Sequence, residues 1–240
     1  MFGQEIANRE PEHPNSGKFL RDIVFGTNDG VVTAIGFVMG FSGAVTQQNV
    51  VVIAGFLEVV SGAVSMALGN YLGVKSQKEF YEKMEEVEKW EIDNKPDVER
   101  KEIEEIYTNM GFGVKEVEIL TNKVVSNRKM WLELMMHEEL GLTNEGSANP
   151  FMAGVIIGAF FFLGGILPIL PFIFLTPITR ALISSIFVAI GVMILIGFFR
   201  WFLNRGSLGK KVGETVIIGL VAAFIGFVAG EVLKFFGFKV

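Results

Sequence analysis

The 240-residue chain has no cysteine, which excludes disulfides, thiolate metal sites and thiol redox switching. It has only two histidines, His13 and His137, and they lie far apart in polar segments. No nucleophile–base constellation, phosphate-binding glycine loop or dinucleotide fingerprint is present. An enzyme is therefore not expected. Segment 1–21 is polar and lacks the apolar stretch of a cleavable leader. The net charge of −5 gives no reason to expect a nucleic-acid partner.

What the chain does have is apolar surface. Half of its residues are hydrophobic, 23 of them Phe, and the mean hydropathy is +0.46. The apolar residues cluster in five runs, at 22–44, 50–72, 151–175, 181–203 and 213–236. Each is long enough to cross a hydrocarbon core as a helix. Between the second and third runs lies a polar segment, 73–149, that holds most of the charge. The expectation is an all-α membrane protein with five transmembrane helices and a helical domain inserted between helices 2 and 3.

Basic residues set the orientation. Arg9, Lys18 and Arg21 precede the first run, and the turn at 45–49 has no basic residue. Segment 73–149 is rich in Lys and Arg, the turn after the third run has only Arg180, and Arg205, Lys210 and Lys211 follow the fourth. Lys234 and Lys239 weakly oppose the trend. The expected organisation is a cytoplasmic N-terminal segment (1–21), transmembrane helices 1–2 (22–72), a cytoplasmic metal-binding domain (73–149) and transmembrane helices 3–5 (150–240). The short termini, without a targeting extension, fit a prokaryotic plasma membrane better than an organelle.

Two acids fall inside apolar runs, Asp29 in the first and Glu58 in the second. An ionised side chain at the bilayer centre costs roughly 2.5–3.5 kcal/mol or more, so such groups mark ion or proton paths. Asp29 lies about 10 Å and Met66 about 9 Å from the cytoplasmic ends of their helices, given the helical rise. The two are thus at matching depth. Glu58 is about 12 Å beyond Met66 by the same rise, which makes it a separate station. A carboxylate with a thioether suits a softer transition metal rather than Mg²⁺ or Ca²⁺. Met66 serves equally well as packing.

Small residues recur at four-residue spacing in three runs: Gly26/Gly30 and Gly36/Gly40, Ser61/Ser65/Gly69, and Ala222/Gly226/Gly230. This spacing permits close helix approach, either within one chain or between two copies. The glycine pairs beside Asp29 suggest contact with a second copy. Pro168 and Pro171 are expected to kink the third helix. Glu214 starts the fifth and Glu231 lies near its far end, both at interfacial positions.

In the polar segment, helices are expected over 73–93, 97–109, 114–126 and 128–141, with breaks at Pro96 and at Gly111 and Gly113, and a C-terminal cap at Gly141. Glu85, Glu88 and Glu91 recur every three residues, as do Glu99, Glu102 and Glu105. On a helical hairpin the two stripes either face one another across a cation or form a solvated acidic surface. The strip from Trp131 to Leu140 adds Met135, Met136, His137, Glu138 and Glu139. No Glu-x-x-His pair occurs there, so a ferritin-type di-iron centre is not supported.

These segments resemble a known family. Arg21-Asp22-Ile-Val-Phe-Gly26-Thr-Asn-Asp29-Gly30-Val-Val-Thr33 is similar to the first-helix signature of the vacuolar iron transporter family. Glu58-Val-Val-Ser-Gly-Ala-Val-Ser-Met66-Ala-Leu-Gly69-Asn-Tyr71 resembles its second helix, and Gly164-Gly-Ile-Leu-Pro168-Ile-Leu-Pro171 its third. Trp131 to Leu142 resembles the end of its cytoplasmic domain. The resemblance implies a homodimer with a path between protomers, and export of Fe²⁺, with Mn²⁺ as another candidate, against inward proton flow. It places Asp29, Glu58 and Met66 along the path. It places Glu88, Glu91, Glu99, Glu102, Met135, Met136 and Glu139 in a cytoplasmic metal site, and assigns no role to His137. The rival readings are a membrane-anchored metal buffer or sensor, and a proton-coupled carrier of another solute.

Overall fold

A computed structural model describes residues 17–45, 47–142 and 149–236. Arg9 and Lys239, counted above for orientation, lie outside the described residues. So do the rest of segment 1–16 and residues 143–148. Among the described residues every regular element is a helix: α1 Gly17–Ala44, α2 Gln48–Asn94, α3 Pro96–Asn109, α4 Val114–Val125, α5 Arg128–Leu134, α6 Pro150–Phe174, α7 Ile178–Asn204 and α8 Leu208–Phe235. A π-helical turn, Met135–Glu139, follows α5. Helices α1, α2, α6, α7 and α8 are long and apolar enough to cross a membrane. The chain forms two compact units, one from the residues up to Asn70 together with those from Phe151 onward, the other Tyr71–Pro150.

Glycine decides how the first unit packs. Gly26 and Gly30 of α1 lie against the α6 backbone. A Cβ on Gly26 would come within 2.6 Å of the Ile157 carbonyl oxygen, and one on Gly30 would collide with that of Phe161. Further along, Gly36 and Gly40 lie against Gly226 and Gly230 of α8, where a Cβ on Gly40 would sit 2.6 Å from the Gly226 carbonyl. Both glycine pairs of α1, and the small residues of α8, are thus used inside one chain. This corrects the expectation that the pairs beside Asp29 contact a second copy. The stripe Ser61/Ser65/Gly69 on α2 is different. All three residues are exposed, and a Cβ on Gly69 would meet nothing within 4 Å.

Val31, Ile35 and Val38 of α1 pack with Val51 and Val59 of α2, Ile169 and Phe172 of α6, and Met193 of α7. Polar side chains also tie the helices to one another through backbone carbonyls. The Gln48 amide donates to the carbonyls of Phe172 and Leu175 (2.6 and 2.7 Å), closing the last turn of α6. The Ser185 hydroxyl donates to the Pro168 carbonyl at 2.6 Å. Helix α6 runs on through Pro168 and Pro171 to Phe174.

In the second unit, Ile92, Ile103, Val124, Trp131 and Met135 form a separate apolar cluster. Pro96 opens α3, and Asn127 caps α5 by accepting from the backbone N–H groups of Lys129 and Met130. Gly111 and Gly141 hold φ of 93° and 63°, the left-handed region in which glycine ends a helix freely. One element departs from expectation. Helix 128–141 is α-helical only to Leu134. The next turn widens, with the Leu140 N–H bonded to the Met135 carbonyl at 3.2 Å and the Leu142 N–H to that of Met136 at 2.8 Å. Single π turns inside helices recur at functional sites, because the extra residue re-aims the side chains around it.

Candidate metal centre

The acidic hairpin brings three carboxylates together. Glu88 on α2, Glu99 on α3 and Glu139 in the π turn offer ligand oxygens within 4.8 Å of one another. Glu88 and Glu99 are each only 3% exposed. Each also keeps a buried Oε2 with no hydrogen-bond partner. Buried carboxylates without donors are costly, and a cation is the natural counterpart.

Burial, then Glu139, Glu91 and Glu102, push the Glu88 carboxyl up to about 7. Burial, then Glu102, Glu88, Glu91 and Glu139, do the same for Glu99, again to about 7. Glu139 is raised by burial and by Glu102 and Glu91. Glu102 is raised by burial, Glu91 and Glu105, with Lys95 opposing. These groups repel one another as anions and gain from any divalent ion among them.

The remaining expected ligands divide. Glu91 accepts an ion pair from Lys95 at 3.0 Å and Glu102 lies in the same field, yet neither joins the tight trio. Met135 is fully buried in the apolar cluster with Trp131 and Ile103, and Met136 is 3% exposed. The outer members of the glutamate stripes turn away. Glu85 pairs with Lys89 at 2.7 Å, and Glu105 lines a shallow surface groove with Lys101 and Glu104. His137 is exposed and bonds Glu138 at 2.7 Å.

In the first unit, Asp29, Glu58 and Met66 are all half-buried. Glu58 keeps a buried Oε2 without a hydrogen-bond partner. A third acid escaped the sequence reasoning. Asp22 was expected at the membrane entry, but it is 2% exposed. It accepts from Arg21 Nε and Nη2 (3.2 and 3.1 Å) and from Asn70 Nδ2 (3.4 Å). Asn70 also donates to the Ala153 carbonyl at 3.0 Å, so one amide joins α1, α2 and α6. The only available signal was Asn70, a polar residue near the end of an apolar run.

The chain is 32% identical over 223 residues to "Vacuolar iron transporter" of Centaurea cyanus, covering 92% of this chain and 91% of that one. It is 33% identical to "Vacuolar iron transporter 2" of Oryza sativa subsp. japonica, covering 90% and 88%. It is 27% identical to "Protein CCC1" of Saccharomyces cerevisiae, covering 91% of this chain and 68% of that one. The names of the two plant relatives refer to the vacuole, and all three organisms are eukaryotes, so the expected prokaryotic plasma membrane gains no support. The sequence profile of the VIT family matches residues 20–231. With that match spanning both units and every helix that carries a candidate ligand, the chain belongs to the VIT family.

Proposed function

We propose that this membrane protein moves Fe²⁺, with Mn²⁺ as a second cargo, out of the cytosol in exchange for protons. The observation that carries the reading is the trio Glu88, Glu99 and Glu139, whose oxygens converge although two of the three residues are buried. The names of the relatives favour iron as the cargo. Glu91, Glu102, Met135 and Met136 complete the capture site on the cytoplasmic unit, and the local negative field concentrates cations there. The ion then crosses by way of Asp29, Met66 and Glu58. A carboxylate that releases the metal takes up a proton, which avoids a bare buried charge at each step. The functional form is a homodimer, for which the exposed Ser61/Ser65/Gly69 face of α2 offers a close-approach surface.

The test is uptake of Fe²⁺, Mn²⁺ and Zn²⁺ into proteoliposomes, with and without a pH gradient. Uptake of Fe²⁺ driven by the gradient, and lost in Asp29→Ala, is expected. A protein that binds metal without moving it would be a buffer or sensor. Gradient-independent uptake would remove the proton from the mechanism.

A further inference from the structure

A cleft of about 570 Å³ opens between α1, α7 and α8, and none of the ligands named so far lines it. Its polar lining is Arg21, Asn28, Arg200 and Thr215. Apolar walls flank it, among them Phe25 and Ile218, which are 54% and 53% exposed. We propose that this cleft binds an anionic phospholipid, with the phosphate between the two guanidinium groups and an acyl chain along the apolar walls.

Three observations carry this. First, the cleft is the wrong sign for the cargo. Its lining presents two arginines and no carboxylate, so the donors that face it suit an anion rather than a metal cation. Second, each guanidinium is held in place by contacts that use only part of its five donors. Arg200 Nη1 donates to Thr215 Oγ1 at 2.9 Å, and its Nη2 stands 3.7 Å from Glu214. Arg21 is held by Asp22, which is itself fixed by Asn70. Arg205, Lys210 and Lys211, between and just after these helix ends, keep the region basic despite the two acids. Third, the walls belong to helices long and apolar enough to span a bilayer, and Phe25 and Ile218 among them are exposed. An occupant must therefore combine an anion with hydrocarbon, which describes a phospholipid and not a free phosphate. Basic pockets between membrane helices take anionic headgroups in this way. Asn28 lines the cleft, and the next residue on α1 is Asp29, so occupancy braces the helix that carries the membrane acid.

The test uses the purified full chain in mild detergent, incubated with phosphatidylglycerol or phosphatidylcholine of the same chain length. Retained lipid is counted by native mass spectrometry. Preferential retention of phosphatidylglycerol is expected, falling about fivefold for each charge removed in Arg21→Gln and Arg200→Gln. Ile218→Trp fills the cleft and leaves both charges, so it should lower retention with the unfolding temperature unchanged. It keeps the test decisive if an arginine variant does not fold. Equal retention of the two lipids, or wild-type retention in Ile218→Trp, would overturn the proposal. So would displacement of the lipid by millimolar inorganic phosphate, which would assign the cleft to a free anion. Cross-linking of two copies through a cysteine placed at position 218 would assign it to a protein interface instead.

Discussion

Glu88 and Glu99 sit on consecutive helices of one hairpin, both almost fully buried, and each holds an oxygen that no donor satisfies. Both carboxyls are pushed up to about 7, by burial first and neighbouring glutamates second. A raised acid favours the folded state while protonated and opposes it once ionised. Without metal, the contribution of this pair to stability is therefore greatest below the ordinary glutamate range and falls as pH rises from there through about 7. Metal binding runs the other way, since it needs the ionised pair. Calorimetry of the full chain with Mn²⁺ at several pH values should show affinity rising through about 7, with proton release. A flat profile from pH 6 to 8 would mean that Glu88 and Glu99 are not ligands.

Much of this was legible in the sequence, and the failures have physical causes. Apolar runs gave the five long helices, because length and hydropathy suffice for that. The period-three glutamates pointed to the hairpin but overstated it. A step of three residues turns a helix by 300°, so successive members drift around the surface. Only Glu88, the middle member of one stripe, and Glu99, the first of the other, meet, while Glu85 pairs with Lys89 and Glu105 lines a surface groove with Lys101. The π turn at Met135–Glu139 left no pattern, since one extra residue in a turn changes no periodicity that a short strip can reveal. The α1 glycines announced close packing but not the partner, because glycine carries no information about which backbone approaches it.

The partner can be tested directly. Gly30→Ala places a methyl against the Phe161 carbonyl, and Gly226→Ala one against that of Gly36. Both are fixed backbone, so each variant should lose about 1–3 kcal/mol of stability. Gly69→Ala meets nothing within the chain and gains helix propensity, by about 0.5–1 kcal/mol. Thermal unfolding in detergent should put Gly30→Ala and Gly226→Ala below wild type and Gly69→Ala at or above it. If Gly69→Ala leaves the monomer stable and abolishes the dimer, the α2 face is the dimer contact.

Asn70 makes two contacts that no other residue replaces. Asn70→Leu removes both, leaving the Ala153 carbonyl without that donor and Asp22 with only Arg21. The Ala153 carbonyl keeps its bond within α6, but the buried Asp22 Oδ2 loses its donor, which costs about 1–3 kcal/mol. Asn70→Asp should be worse, since it sets a second carboxylate beside Asp22. Unfolding temperatures that fall in the order wild type, Asn70→Leu, Asn70→Asp would establish the tether. An unchanged Asn70→Leu variant would show that the amide does not hold α1, α2 and α6 together.

The adjacent methionines separate packing from ligation. Met135 is enclosed by Ile92, Ile103, Val124 and Trp131, an environment that asks only for volume. Leucine nearly matches that volume, so Met135→Leu should cost less than about 1.5 kcal/mol of stability. What leucine lacks is sulfur, a donor that favours softer transition metals. If the thioethers ligate, Met135→Leu and Met136→Leu should weaken Fe²⁺ binding while hardly altering that of Mn²⁺, which relies on oxygen. The ratio of the two affinities is the readout, because a packing defect would lower both together. A ratio that stays at the wild-type value in both variants would reduce the pair to core residues and leave the three glutamates as the metal's protein ligands.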